Sequence, residues 1–253
     1  MKISVITVSY NSAATIADTM QSVARQTHAD IEHIVVDGGS MDRTLAIVRA
    51  EGSRVAHVVS EPDKGIYDAM NKGLRLATGD FVGFLNADDM LASPDTVAKI
   101  AAAALSGADV IYGDLVYVNK DSPTEVVRYW SSGAFSADRL RYGWMPPHPT
   151  LYLRRSEQVG LGLFDLRLRI AADYDFMLRC LNKPGVRVAY LPEVLVRMRT
   201  GGASNRSLAA LRNKSREDLF ALRKNGVGGW FTLLCKNARK LPQFFRRPTG
   251  DRT

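Results

Sequence analysis

Cysteine is scarce in this sequence and long apolar runs are missing, and each absence excludes a class of protein. Only Cys180 and Cys235 occur among 253 residues. Their spacing gives neither a disulfide framework nor a set of metal ligands, which is typical of a reducing compartment. No apolar run approaches the roughly 18 residues of a membrane-spanning helix, and the start M-K-I-S-V-I-T-V-S-Y-N is too short and polar for a signal peptide. We therefore expect a cytoplasmic protein without a transmembrane helix.

Acidic residues are scarce at the carboxyl-terminal end of the chain. Residues 197–253 hold 14 Lys and Arg against 3 Asp and Glu, whereas residues 1–196 hold 20 against 23. The net charge of +8 therefore belongs to the tail. A basic tail is typical of contact with nucleic acid or with an anionic membrane surface, and a solvated helical face is the simpler alternative.

The apolar pattern predicts an α/β fold. Over the first half of the chain it alternates between strand and helix periods, which predicts a mostly parallel sheet covered by helices on both faces. The predicted strands are 2–9, 31–37, 55–59 and 81–85, and the helices between them are 13–26, 42–51 and 66–77. The second half predicts a helix from 94 to 106, a strand at 110–114, a hairpin over 115–130, a loop at 144–150, a helix at 173–182, a strand at 186–190 and a helix at 207–224.

Carboxylates follow two of the predicted strands at the point where each strand ends. Asp37 closes I-E-H-I-V-V-D, and Asp88 and Asp89 follow F-V-G-F-L-N-A. The carboxyl ends of parallel strands line the ligand crevice of such a sheet. One acid there would be explained as a helix cap, but two adjacent acids favour a site for a divalent metal or a ribose.

Two loops add polar groups to the same edge. Asp37 begins V-D-G-G-S, a turn that suits a phosphate or a base edge and equally suits an ordinary capped turn. The segment S-E-P-D-K-G places Glu61, Asp63 and Lys64 directly before an apolar helical stripe.

Two further positions are candidates for the acceptor side of the crevice. Asp173 and Asp175 open a predicted helix, where acids cap the helix dipole, although one acid there can also act as a general base. His148 lies in P-P-H-P-T. It is a weak candidate for orienting an acceptor, since a loop histidine is more often structural.

Five motifs in order carry a resemblance to a known family. They are V-I-T-V-S-Y-N, V-D-G-G-S-x-D-x-T, E-x-D-K-G-I-Y-D-A-M-N-K-G, N-A-D-D and D-Y-D. Together they resemble glycosyltransferase family 2 over about residues 3–204. The resemblance implies a GT-A-type, Rossmann-like fold and inverting transfer of one sugar from a nucleotide-diphosphate sugar to an acceptor hydroxyl. It also implies a nucleotide-sugar half over about 1–110, an acceptor half over 111–204 and a basic helical extension over 205–253.

The resemblance also implies roles for individual residues. Asp37 would bind the nucleotide base, with Glu61 and Lys64 beside it. Asp88, with Asp89 next to it, would hold a divalent metal, Mn or Mg. Asp173 would be the base that deprotonates the acceptor.

The chain departs from the family pattern at three positions. Asn86 replaces the first acid of the D-x-D motif, which weakens the metal site without removing it. Ala172 replaces the Glu before the base. Where many relatives carry R-x-H, this chain has R-M-R-T, so Arg197 or Arg199 would neutralise the leaving diphosphate. The Q-x-x-R-W motif of processive synthases is absent, which favours one sugar per encounter.

Other functions fit the sequence less well. A sugar-phosphate nucleotidylyltransferase needs a Gly-rich phosphate loop after the first strand, and S-Y-N-S-A-A-T does not provide one. A dehydrogenase needs G-x-G-x-x-G, which is missing. A non-catalytic membrane- or nucleic-acid-binding module would explain the basic tail but not the acids along the crevice.

The tail has the pattern of an interfacial helix over about residues 227–247. Its apolar face consists of Val227, Trp230, Phe231, Leu234, Ala238 and Leu241. The basic residues expected at anionic headgroups are Lys236, Arg239, Lys240, Arg246 and Arg247. We expect an enzyme peripheral at the inner membrane face that acts on a glycan or lipid-linked acceptor in cell-surface polysaccharide synthesis, without nucleic acid as a partner. A helix packed on the domain is the alternative.

Overall fold

The computed structural model describes residues 1–201, 208–239 and 243, with the side chains of 208–211 left out. Its first half alternates strand and helix as predicted, with every boundary within three residues. The elements are β1 (Ile3–Ser9), α1 (Ile16–Ala24), β2 (Ile31–Asp37), α2 (Thr44–Glu51), β3 (Val55–Ser60), α3 (Ile66–Leu76) and β4 (Phe81–Phe84).

The second half is less regular and adds elements that the sequence did not predict. Its elements are β5 (Asp89–Leu91), α4 (Thr96–Leu105), β6 (Val110–Val118), β7 (Val126–Trp130), α5 (Ala137–Arg141), a 3-10 turn (His148–Thr150), β8 (Tyr152–Arg154), α6 (Arg155–Leu161), α7 (Ala172–Leu181), β9 (Val188–Arg199), α8 (Leu208–Lys224) and α9 (Trp230–Ala238). The elements missed are β5, α5, β8 and α6. None is longer than 7 residues, which is too short for a periodic pattern.

The strands form one mixed sheet in the order β3-β2-β1-β4-β8-β6-β9-β5, with β7 paired to β6. The pairings among β3, β2, β1 and β4 are all parallel, as the sequence predicts, and β6 also pairs with β9 in parallel. The remaining pairings, β4 with β8, β8 with β6, β6 with β7 and β5 with β9, are antiparallel. The α/β prediction is confirmed, and the short strand β8 joins the parallel half to the rest of the sheet.

Burial of both sheet faces explains why the parallel half is predictable. All seven residues of β1 are buried. Ile6 packs on one face with Met70 and Leu74 of α3, and Val5 packs on the other face with Ile100 of α4. Parallel strands covered on both faces read as nearly continuous apolar runs.

Strand β9 is longer than predicted and reaches the crevice. The prediction ended at residue 190, but the strand continues to Arg199. Pro192, which has no N–H for the ladder, falls in a register shift opposite Gly113 and Asp114. The last residues of β9 pair with β5, directly after Asp88.

The C-terminal helices pack against the body of the protein. Helix α8 contacts α7, and α9 contacts α8. Val227 and Leu233 are buried in the main core cluster. The predicted domain boundary at residue 204 lies outside the described residues. Within the described residues, no helix has the length and apolar character needed to cross a membrane.

Glu32 lies at the start of β2, at the end of the sheet away from Asp37. It joins β2 to the start of β1 and to the turn before β4. Its carboxylate accepts hydrogen bonds from Lys2 (2.9 Å), Ser4 (2.6 Å) and both the backbone and hydroxyl of Thr78. Burial opposes ionisation of Glu32, but these hydrogen bonds outweigh it and lower its pKa to about 2.

We predict that Glu32→Gln lowers the free energy of unfolding by about 2–3 kcal/mol at pH 7. A carboxyl group with a lowered folded-state pKa contributes stability above its unfolded pKa of ~4.3, and this contribution is lost as the pH falls towards 2. Urea denaturation of both proteins at pH 7 and pH 3 measures the difference. A difference that stays constant across this pH range would contradict the prediction.

Candidate active site

Asp37 holds together the carboxyl ends of three parallel strands. Its buried carboxylate accepts hydrogen bonds from the hydroxyls of Ser9 (3.0 Å), Ser40 (2.5 Å) and Ser60 (2.8 Å). The backbone N–H groups of Gly39 (3.1 Å) and Ser40 (2.8 Å) donate to it as well. Burial alone would raise the pKa of Asp37, but these hydrogen bonds lower it. Asp37 therefore stays ionised and fixes the turn that follows β2.

Five donors surround the two carboxylate oxygens of Asp37, so recognition of a base by this carboxylate would exchange one of these hydrogen bonds. The residue shapes the turn after β2, and its contact with a nucleotide base stays a prediction.

Two residues that the sequence analysis did not assign flank the same turn. A Cβ atom on Gly38 would overlap the carboxylate of Asp63 and would touch the ring of Tyr10. Tyr10 is the first residue after β1 and its side chain is 64% exposed. Asp63 also accepts a hydrogen bond from the Gly65 N–H (2.8 Å). An exposed ring, a bare glycine and a carboxylate thus form a shallow surface suited to a planar, hydrogen-bonding group. The sequence feature that could have identified Tyr10 is its position directly after a predicted strand.

Glu61 and Lys64 lie in the loop that joins β3 to α3. The backbone N–H of Glu61 donates to the carbonyl of Asp37 (3.0 Å), and its exposed carboxylate pairs with Lys72 (2.9 Å). Lys64 is exposed, and its backbone N–H donates to Asp68 (3.1 Å).

Asp88 and Asp89, at the predicted metal site, lie in different environments. Asp89 is completely buried, and its carboxylate accepts a hydrogen bond from the Asn86 amide (3.1 Å). Asp88 is only partly buried. Burial raises the pKa of Asp88, and burial together with the charge of Asp88 raises the pKa of Asp89 further. Asp89 therefore orients Asn86, and Asp88 is the acid that can reach a ligand.

The oxygen atoms at this edge fit a divalent cation. Oδ1 of Asn86 and Oδ1 of Asp89 are buried without a hydrogen-bond partner in the described part of the protein. Mg²⁺ and similar cations bind through one or two carboxylates together with substrate phosphates. A cation held by Asp88 and Asn86 would offset the repulsion between the neighbouring carboxylates of Asp88 and Asp89. Among the described residues, no group of three or more His, Cys, Asp and Glu side chains could hold a metal without a substrate.

Arg197 and Arg199, expected to neutralise the leaving diphosphate, both form contacts within the protein. Arg199 is buried, forms an ion pair with Asp18 and donates to the backbone carbonyl of Asp88 (3.0 Å). Arg197 donates to the carbonyl of Pro123 (2.8 Å). Both lie in the part of β9 that the sequence did not predict. Arg199 supports the loop that carries Asp88.

Asp173 begins α7 next to the nucleotide edge. Its Oδ1 lies 3.1 Å from the hydroxyl of Tyr67 and accepts a hydrogen bond from the Tyr174 N–H (2.8 Å). Tyr67 is the second residue of α3 and follows the loop of Glu61 and Lys64 directly. Tyr67 thus connects the start of α7 to the loop that follows β3.

His148 lies between the end of β4 and the start of α7. Its buried ring stacks on Phe84 (5.3 Å between centroids) and meets Phe164 edge-on (5.9 Å). Burial lowers the pKa of His148, against the opposing charge of Asp173. The ring is therefore neutral at pH 7, and its Nε2 has no hydrogen-bond partner among the described residues.

Asp175, expected on the acceptor side, lies in a buried cluster of charged and polar groups. It is completely buried, and its carboxylate contacts Arg179 (3.0 Å), Lys224 (3.0 Å) and Asn225 (2.9 Å). These contacts fasten the end of α8 to α7. Positions two apart on a helix differ by about 200° in direction, so Asp175 points away from Asp173.

The fold and the sequence both have relatives among known proteins. The chain matches the model of Glycosyl transferase family 2 over residues 4–169. A PGL/p-HBAD biosynthesis glycosyltransferase of Mycobacterium bovis is 36% identical over 208 residues, which cover 80% of this chain and 78% of that protein. A UDP-Glc:alpha-D-GlcNAc-diphosphoundecaprenol beta-1,3-glucosyltransferase of Escherichia coli is 31% identical over 121 residues, or 47% of this chain and 48% of that protein.

Two solved structures show the same fold. S. aureus TarS 1-349 in complex with UDP-GlcNAc has a TM-score of 0.68 at 22% identity, covering 90% of this chain and 66% of that one. The chain thus spans just under two thirds of the TarS segment. The mannosyltransferase PcManGT from Pyrobaculum calidifontis, in complex with GDP-Man and Mn2+, has a TM-score of 0.64 at 22% identity, covering 96% and 73%. The GT-A-type fold is confirmed. With most of the chain matched by the family model and by a relative of similar length, the protein belongs to glycosyl transferase family 2 and is a glycosyltransferase.

Proposed function

We propose that this glycosyltransferase moves one sugar, with inversion, from a nucleotide-diphosphate sugar to a hydroxyl of a lipid-linked acceptor. The contact between Asp173 and Tyr67 carries the proposal. It sets a carboxylate at the start of α7 beside the loop that follows β3, where the nucleotide edge lies. A single displacement needs one base on the acceptor side, opposite the leaving group, and Asp173 meets this requirement.

The donor side of the proposal rests on two surfaces. The nucleotide base lies on the shallow surface of Tyr10, Gly38 and Asp63, where a planar ring can stack and donate to a carboxylate. The diphosphate lies at Asp88 and Asn86, which would hold a divalent cation. When bound there, the cation would neutralise negative charge on the leaving nucleotide. TarS binds UDP-GlcNAc and PcManGT binds GDP-Man with Mn2+, which supports the same classes of ligand here.

A side chain of the protein takes up the proton of the acceptor hydroxyl. Asp173 accepts it from the acceptor hydroxyl as that oxygen attacks the anomeric carbon. The backbone N–H of Tyr174 donates to Oδ1 of the carboxylate, which leaves Oδ2 for the acceptor. The Tyr67 hydroxyl lies 3.1 Å from the same Oδ1 and 2.8 Å from the carbonyl of Ile170. His148 fills the space behind the site as a neutral ring.

We predict that Asp173→Asn lowers the transfer rate by about 10²–10⁴-fold, because general-base help is typically of this size. Thermal stability and donor affinity should be retained, since the amide can still accept from Tyr174. Product formation from a labelled nucleotide sugar measures the rate, and thermal melting measures the stability.

Asp175→Asn is the matched control for this experiment. It weakens a buried ion cluster, so it should lower the melting temperature while the folded fraction keeps its activity. If Asp175→Asn were stable but inactive and Asp173→Asn were active, the catalytic base would be Asp175 and not Asp173.

A separate prediction concerns the cation. In wild type, Mn²⁺ should raise the melting temperature in the presence of the nucleotide-sugar donor, and Asp88→Asn should abolish most of this increase. Glu51→Gln, at an exposed carboxylate at the end of α2, is the control and should leave the increase unchanged. An undiminished Mn²⁺ effect in Asp88→Asn would exclude Asp88 as a ligand.

We further propose that α8 and α9 dock the enzyme on an anionic membrane surface, peripheral to the cytoplasmic face. The exposed side chains of α9 are Trp230 (61%), Phe231 (64%) and Leu234 (68%). Arg216, Arg223 and Phe220 of α8 surround Trp230 in one shallow depression. An apolar ridge beside exposed cations matches the chemistry of an anionic lipid surface. The diphosphoundecaprenol-linked acceptor of the E. coli relative supports a membrane location.

The geometry of α9 changes the expected contacts. Lys236 was expected at the headgroups, but it is buried and pairs with Asp218 (2.7 Å). Val227 belongs to the core and not to the lipid-facing side. Arg239 is exposed, whereas Lys240, Leu241, Arg246 and Arg247 lie outside the described residues. Helix α9 therefore both packs on the body and exposes an apolar face.

We predict that replacing Trp230, Phe231 and Leu234 together by serine abolishes flotation with anionic liposomes and leaves the melting temperature nearly unchanged. These side chains are mostly exposed already, so the fold loses little buried area. Added salt should weaken flotation of the wild type, because it screens headgroup attraction. Leu233→Ser is the control, since it should lower stability by opening the core. Unchanged flotation of the stable triple variant would exclude this face.

A further inference from the structure

A cavity of about 270 Å³ lies between the end of β7, the loop after α5 and helix α9. Trp130 and Ser131 form one wall, and Trp144 and Met145 form another. Helix α9 closes the cavity because Gly143 lets it approach closely. A Cβ atom at Gly143 would overlap the backbone of Lys236. The cavity is therefore built by the close contact between α9 and the body.

The charge of the cavity is positive. Arg139, Lys236 and Arg239 line it, and no Asp or Glu is among its lining residues in the described part of the chain. Lys236 is balanced by Asp218. Arg139 donates to the carbonyl of Ala134, and Nε of Arg239 donates to the carbonyl of Tyr142 (2.8 Å). A guanidinium carries five N–H donors, so each arginine keeps donors for an oxyanion.

One lining residue of the cavity, Lys236, contacts the residue that follows Asp173 in the chain. The ammonium of Lys236 lies 3.3 Å from the centroid of the Tyr174 ring, and Tyr174 directly follows Asp173. Burial lowers the pKa of Lys236, and the charge of Asp173 is near enough to oppose this effect. Along the chain, only Pro146 and Pro147 separate Met145 from His148, whose pKa the charge of Asp173 raises against the effect of burial. Tyr174 and Lys236 thus link Asp173 to the cavity that the two arginines line.

We propose that this cavity binds a phosphate group of the acceptor, so that the substrate class is a glycan whose sugar is attached to phosphate. The inference rests on the proposed function and deepens it. Arginine binds phosphate through paired, charge-assisted hydrogen bonds, and an aromatic wall such as Trp130 suits the apolar face of the sugar ring. Arg139 and Arg239 recognise the phosphate, and Asp173 receives the proton of the sugar hydroxyl.

Two of the three tryptophans of the chain, Trp130 and Trp144, line the cavity, so fluorescence reports its occupancy directly. The protein for the test carries Trp230→Phe, which removes the third tryptophan. It is titrated with methyl diphosphate, inorganic phosphate and acetate at constant ionic strength. We expect methyl diphosphate to change the emission and to bind more tightly than acetate. Arg139→Gln and Arg239→Gln should each weaken its binding by about tenfold or more.

The controls separate this site from the nucleotide edge. Lys64→Gln removes an exposed cation near Asp37 and should leave the titration unchanged, and circular dichroism checks the fold of each variant. No emission change, equal affinity for acetate, or unchanged affinity in both arginine variants would each overturn the proposal. Tighter binding of inorganic phosphate than of methyl diphosphate would also overturn it, because it would indicate a free-phosphate site. The measurement uses no donor and no turnover, so its failure is distinct from failure of the transfer reaction.

Discussion

The buried carboxylate of Asp37 is the interaction on which the rest of the site depends. It has five hydrogen-bond donors and no cationic partner among them. Because Ser9 and Ser60 donate from the ends of β1 and β3, one charge aligns three strand ends. The same contacts fix the glycine turn against which Asp63 and Tyr10 lie. A satisfied buried charge of this kind is rigid, since each lost hydrogen bond would leave a desolvated oxygen.

Much of the fold was predictable because its strands are buried on both faces. Strands β1, β2 and β4 consist almost entirely of buried residues, and helix α3 shows a clear apolar stripe. Strand β8 has three residues and is ordered only by its neighbours β4 and β6. The full length of β9 was hidden by Pro192, whose effect on the ladder depends on a register shift in the partner strand.

The motifs predicted a site at one edge of the sheet, but they carried little information on the surroundings of each residue. The motifs placed Asp37, Asp88 and Asp173 near one crevice, because strand ends and helix starts meet there. They could not separate Asp173 from Asp175, since both open the same helix and only packing against Lys224 and Asn225 assigns the second acid a structural role. The apolar pattern of the tail likewise could not distinguish buried positions from exposed ones. Leu233 packs inward, and Phe231 on the same helix is exposed.

The close approach of α9 at Gly143 has a consequence for how this protein can diversify. The nucleotide edge is assembled from residues 9–88, whereas the cavity beside Asp173 is assembled from residues 129–145 and from α9. Helix α9 lies beyond residue 169, where the match to the family model ends. In the proposed function, the wall that faces the donor and the wall that faces the acceptor are therefore encoded by separate stretches of the gene. Remodelling the C-terminal stretch would then change the acceptor that the enzyme takes without touching the residues assigned to the donor.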